Sequence, residues 1–179
     1  MSRHLVVVDC ETNGLDPDRH EAIEIAWWDL ATDERGCFIP KHDVHKVLAA
    51  ADVKALQINR YIDRIADAAD VDSTEQLRAL HTALTGNTLG GSNPTFDAAM
   101  LRKFFAHGGR VGVLQPWHHR MWDLSAYAAG VLGLDELPGL ARVCELLDIP
   151  PGNHTAEADV TATGLCFRAL AALASKGPR

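Results

Sequence analysis

Long apolar runs are missing from this chain. No stretch of about eighteen such residues occurs, so no membrane span is expected. The apolar segment nearest the N-terminus, Leu5-Val6-Val7-Val8, is too short for a signal-peptide core and lacks a small-residue cleavage site. The expectation is a soluble, cytoplasmic protein. Paired cysteines are missing too. Cys10, Cys37, Cys144 and Cys166 lie far apart with no Cys-x-x-Cys, so no disulfide framework is expected, and the thiols read as reduced and mostly buried. Cys37, His42 and His45 imitate a zinc set but lack a second Cys/His pair at a usual spacing. Repeats, low-complexity tracts and linkers are also absent. The 179 residues read as one domain with a single core and a disordered tail over 175–179.

Positive charge is in short supply. Against 24 Asp and Glu stand 17 Lys and Arg, giving a formal charge of −7. That balance is awkward for holding a polyanion. Either the partner is not nucleic acid, or several acids gather in one place and bound cations offset them. The second alternative leaves room for a nucleic acid held by few phosphate contacts.

What is present has a clear order. Residues 4–9 form a β-branched run closed by the turn-rich segment 12–17 and read as a buried strand. Residues 22–30 and 37–39 read as two more, with links short enough for an antiparallel meander. From about 44 to 86 the pattern is helical. Ser73 and Gln76 resemble a capping box ahead of Leu77, Leu80 and Leu84, and Gly86 closes that helix. A weak strand at 88–91 follows, then a helix from Phe96 to Phe105 ended by Gly108-Gly109. A strand between Trp117 and Leu124, a helix over about 138–147 and a last helix over 156–174 complete the chain. The expected fold class is α/β: a mixed five-stranded sheet, with a three-strand antiparallel meander plus parallel strands, covered by helices.

Acid-x-acid pairs occur at 9/11, 16/18, 70/72 and 157/159, and such pairs are usually solvated. Asp9 and Glu11 differ in context. They end a buried strand, and strand alternation points both to the same side. Two carboxylates there repel and lose solvation, which is tolerated mainly beside a cation. Asp97 follows the turn Gly91-Ser92-Asn93-Pro94 and falls near a helix start, where ordinary capping would also explain it. His154 and Asp159 are five residues apart. If both were helical they would stand roughly 140° apart, so His154 reads as a loop residue and Asp159 as part of the first turns.

The blocks Val-Val-Asp9-Cys-Glu11-Thr12-Asn-Gly14, Asn93-Pro-Thr-Phe96-Asp97 and His154-x-x-x-x-Asp159 resemble, in order and separation, the three motifs of the DnaQ-like 3′–5′ exonucleases, in their DEDDh variant. Ile23-Glu24-Ile25-Ala26 is similar to that family's second strand, and Trp122-Asp123-Leu124 to its segment between the last two motifs. The resemblance implies a ribonuclease-H-like fold and two divalent ions, Mg²⁺ or Mn²⁺, held by Asp9, Glu11, Asp97 and Asp159. It further implies that His154 is a general base and that Thr12, Leu15, Asn93 and Phe96 contact the terminal nucleotide. A sister group's tyrosine would stand where this chain has Thr155. Asn13 and Glu157 depart from the usual pattern.

These residue types suit phosphodiester hydrolysis. Hard cations prefer carboxylate oxygen, and an imidazole titrating near pH 6.5 can take a proton from water at neutral pH. Arg102-Lys103 and His118-His119-Arg120 are candidates for a phosphate rim. The modest basic content implies weak processivity and tethering by a polymerase or other protein. The expected substrate is a DNA 3′ end, in a proofreading-like reaction. An RNA or oligoribonucleotide 3′ exonuclease, an endonuclease and an inactive nucleic-acid-binding module are the rivals.

Overall fold

In the computed structural model, which describes residues 3–107 and 115–176, the first β-branched run becomes the central strand. This strand, β1 (Leu5–Thr12), pairs antiparallel with β2 (Ala22–Asp29), and β2 pairs antiparallel with β3 (Arg35–Phe38). On its other side β1 runs parallel to β4 (Thr88–Gly91), and β4 runs parallel to β5 (Trp122–Asp123). The order β3-β2-β1-β4-β5 is the mixed sheet expected from the sequence. Val6, Val7 and Val8 are all buried, and branched side chains suit a strand covered on both faces.

The helices are α1 (Val44–Ala50), α2 (Val53–Ile58), α3 (Tyr61–Arg64), α4 (Thr74–Leu84), α5 (Pro94–His107), α6 (Leu124–Leu132), α7 (Leu140–Leu147) and α8 (Ala156–Ala174), with a 3-10 turn at Ala66–Ala68. Side-chain alternation along β1 divides two cores. Val6, Val8 and Cys10 pack with Leu80 and Leu84 of α4 and Leu101 and Phe105 of α5. Val7 packs with Ala26 and Trp28 of β2 against Val143 of α7 and Val160 and Phe167 of α8. A smaller cluster, Ile23, Val47, Tyr61 and Ile65, seats the short helices beside β2. Fully burying Leu80 and Leu84 contributes roughly 1.5–3 kcal/mol each against leaving them exposed.

Several local expectations are corrected. β1 does not stop at Asp9 but continues to Thr12, so both acids lie within it. Ser73 precedes α4 without capping it; its Oγ accepts the Lys41 N–H at 3.2 Å, and Asp72 Oδ1 instead accepts the Thr74 N–H at 3.0 Å. The strand expected between Trp117 and Leu124 shrinks to two residues. Asp123 Oδ1 takes the Ala126 N–H at 3.0 Å and starts α6, an element not expected from the sequence. The helix expected from 138 begins at Leu140. Gly108-Gly109 and residues 177–179 of the tail lie outside the described residues, while Ser175 and Lys176 extend α8 through hydrogen bonds to Ala171 and Leu173. No helix among the described residues is long and apolar enough to cross a membrane.

Candidate active site

β1 delivers the first two acids. Asp9 and Glu11 share the face of Val7, turned towards α8, while Cys10 points into the opposite core. Asp159 arrives from the first turn of α8. Among the described residues these three are the one group of His, Cys, Asp or Glu side chains whose ligand atoms all lie within 4.8 Å of one another.

Asp97 joins them from α5. It is 5% exposed, and its Oδ1 accepts the backbone N–H of Cys10, the residue between the two strand acids, at 3.0 Å. After burial itself, Asp97 is the largest influence raising the Asp9 carboxyl, followed by Asp159 and Glu11. Burial followed by Asp159 and Glu24 pushes Glu11 up to about 7, with Arg64 pulling the other way. Burial also raises Asp97 and Asp159. Four carboxyls that resist being charged together, with oxygen donors only, fit hard divalent cations, which would neutralise them.

His154 stands on the exposed loop before α8 with a φ of 61°, a left-handed backbone seldom adopted outside glycine. The loop has a reason to turn there. It wraps the Asp159 carboxylate, which is eased downward first by the nearby His154 and then by hydrogen bonds from the His154 and Asn153 backbone. Gly152 belongs to the same wrap, because a Cβ on it would overlap the Asp159 carboxylate. Thr155 then caps α8 by accepting the Ala158 N–H at 3.2 Å. His154 is therefore a loop residue and Asp159 a first-turn residue, as the spacing suggests.

The residues expected to meet a nucleotide have the following local settings. The Thr12 hydroxyl donates to the Gly14 carbonyl at 2.7 Å, so towards any ligand it can only accept. Leu15 is 77% exposed. Asn93 is exposed and its carbonyl accepts the Phe96 N–H at 3.0 Å, while the half-buried Phe96 ring packs on the α4–α5 core. The 13–21 loop is well fixed. Asn13 donates to Val47 and accepts from Glu21, Gly14 sits so close to the His20 ring that a Cβ would collide, and Lys103 donates to the His20 carbonyl at 2.9 Å.

Other candidates do not converge. His118 donates its N–H to Asn87, which precedes β4 and lies at the opposite end of that strand from Asp97, so His118-His119-Arg120 do not rim the carboxylates. Arg102 is engaged by Gln115 at 3.0 Å and lies over the Trp117 ring. The zinc-like set is not assembled: His42 spends its ring nitrogens on the Pro40 carbonyl and the Tyr61 hydroxyl, at 2.6 and 2.9 Å. All four cysteines are free, and Cys37 is exposed.

Two residues beside the site, Glu24 and Arg64, were given no role at it from the sequence. Glu24 pairs with Glu11 across the β1–β2 ladder, and Arg64 holds its carboxylate. A lone carboxylate within the otherwise apolar run Ala-Ile-Glu-Ile-Ala-Trp-Trp was the available signal for Glu24.

The sheet order and its covering helices define a ribonuclease-H-like fold, with the acids of β1, α5 and α8 gathered beside the central strand. The structure is similar to exonuclease I, with a TM-score of 0.69 at 20% identity over 96% of this chain. It is also similar to Escherichia coli exonuclease I in complex with a dA16 oligonucleotide (TM-score 0.72, 19% identity, 98% of this chain) and to exonuclease I of Methylocaldum szegediense (TM-score 0.70, 20% identity, 94% of this chain). The chain spans less than half the length of those proteins, 41%, 42% and 40% respectively. No curated protein matches the sequence. The family model described as exonuclease matches residues 6–167, nearly the whole chain. The chain belongs to that exonuclease family, the DnaQ-like group that its three blocks resemble.

Proposed function

We propose that this protein is a two-metal-dependent 3′–5′ exonuclease that releases nucleoside monophosphates from single-stranded or frayed DNA 3′ ends. The convergence of Asp9, Glu11 and Asp159 within 4.8 Å, with Asp97 anchored to the backbone between the first two, carries this reading. Asp9, Glu11, Asp97 and Asp159 would hold the two ions, Mg²⁺ or Mn²⁺. When bound, such ions lower the pKa of water and neutralise charge on phosphate.

The chain's own residues do the rest. His154, exposed on its loop, is free to approach a water molecule and take its proton, a role worth roughly 10²- to 10⁴-fold in rate. The exposed Leu15 side chain and the half-buried Phe96 ring offer an apolar platform for a terminal base. Asn93 and the acceptor oxygen of Thr12 orient the sugar.

Support for a single-stranded DNA substrate comes from neighbours of the same fold: Escherichia coli exonuclease I has been crystallised with dA16 and dT13 oligonucleotides, and a zinc-ion-bound form with single-stranded DNA. Exonuclease I in complex with SSB-Ct favours tethering by a partner protein, which also fits this chain's net charge of −7. Digestion of 5′-labelled DNA and RNA strands of equal sequence, with Mg²⁺, Mn²⁺ or chelator, tests the reading. A ladder shortening one nucleotide at a time from the 3′ end, on DNA and only with metal, is expected. Cutting of a closed circular strand, or digestion that survives chelation, would refute it.

A further inference from the structure

Asp9, Glu11, Asp97 and Asp159 have a fifth carboxylate as a neighbour, and its oxygens are already taken. Glu24 is 7% exposed and lies opposite Glu11 on β2. Arg64 grips both its oxygens, Nη1 donating to Oε1 and Nη2 to Oε2 at 3.0 Å each. Oε2 also accepts the backbone N–H of Ala156, the first residue of α8, at 3.0 Å. From the same guanidinium, Nε donates to the Asn59 carbonyl at 3.1 Å, and Asn59 Nδ2 donates to the Thr12 carbonyl at 3.0 Å. Thr12, Asn59, Arg64, Glu24 and Ala156 thus form an unbroken series of hydrogen bonds from the end of β1 to the start of α8.

The chemistry of each link favours a fixed geometry. A helix start carries N–H groups without partners inside the helix and a partial positive charge, which a carboxylate satisfies. A guanidinium gripping a carboxylate through two parallel bonds sets orientation as well as distance. Buried ion pairs are poor stabilisers compared with apolar packing, so stability alone does not account for this one. What it does join is the two walls of the carboxylate cluster, and it does so beside the loop that bears His154.

We infer that Glu24 and Arg64 are positioning residues: together they clamp the start of α8 against the end of β1 and set where Asp159 and His154 stand relative to Asp9 and Glu11. The inference rests on the exonuclease reading for its consequence. Glu24→Gln keeps an acceptor near Ala156 but gives up the charged pair, and Arg64→Lys keeps the charge but loses the fork. Both variants are expected to lose about 10- to 100-fold in kcat with KM changed by less than about 3-fold, as misplacement on the order of 1 Å does. Both should also speed hydrogen exchange at the Ala156 amide and weaken Mn²⁺ binding measured by calorimetry. Asp29→Asn is the control for lost stability alone, since the buried Asp29 carboxylate pairs with the half-exposed His4 at the far end of β2, 2.8 Å apart. The clamp is overturned if kcat and Ala156 exchange stay within about 2-fold of wild type in both variants, or if Asp29→Asn at equal loss of Tm lowers kcat as much. If wild type releases no nucleotides, the exonuclease reading falls instead, and amide exchange with Mn²⁺ calorimetry still decides the clamp.

Discussion

The Asp159 carboxylate occupies the space that a Cβ on Gly152 would fill. Seven residues apart, the two are pressed together because the loop over 152–154 folds back on the first turn of α8. Gly152→Ala should therefore push the carboxylate away from Asp9 and Glu11 while leaving the helix folded. A loss of about 10-fold or more in kcat, with unchanged helical content by circular dichroism, is expected. Full activity in that variant would mean that Asp159 need not stand where the structure puts it.

His154 is expected to act in the chemical step and not in binding. His154→Ala should keep affinity for metal and for a DNA 3′ end but lose at least about 10²-fold in rate. Single-turnover digestion separates the two effects. Turnover near that of wild type would remove His154 from the mechanism.

Much of this site was legible in the sequence, for physical reasons. Alternation along a strand fixed the shared side of Asp9 and Glu11, and the awkward arc between residues 154 and 159 placed His154 on a loop before α8. The last helix was bounded correctly because its apolar face, with Val160, Phe167 and Leu170, is sustained, and in the structure Thr155 caps its start. Helix α6 was not foreseen, because Asp123 ends β5 and caps α6 at once, and Leu124–Leu132 is too uniformly apolar to show a helical period. Glu24, Arg64 and Gly152 escaped because their importance lies in what they touch across 40 to 132 positions of chain, or in a side chain that is not there.

Removing one strand acid should cost activity yet relieve the metal-free fold. Asp9 carries the combined weight of burial, Asp97, Asp159 and Glu11. Asp9→Asn, of the same shape and uncharged, should abolish cleavage and raise Tm in chelator at pH 8 by a few degrees, as roughly 1 kcal/mol does for a domain of this size. A lower Tm under those conditions would show that the carboxylates do not strain one another. Asp97→Ala should abolish cleavage too, without that gain, since it also strips Cys10 of its hydrogen bond.

Metal-free stability should fall with rising pH. Glu11 moves from 4.5 when unfolded up to about 7 in the fold, so the folded chain holds its proton where the unfolded chain has lost it. Stability from this group is full below about 4.5, declines as pH rises and is gone above about 7; Asp9, Asp97 and Asp159 act in the same direction. Thermal melts in chelator between pH 5 and pH 8 should show Tm falling across that window, with divalent cation restoring it at pH 8. A flat or rising profile would contradict the charge cluster.

Mn²⁺ titration by calorimetry, run on wild type and on Asp159→Asn, tests most directly whether acids from β1, α5 and α8 jointly seat two ions. Two ions per chain in wild type, with at least one lost in the variant, are expected. A single ion, or two ions bound equally well without the Asp159 charge, would contradict the account.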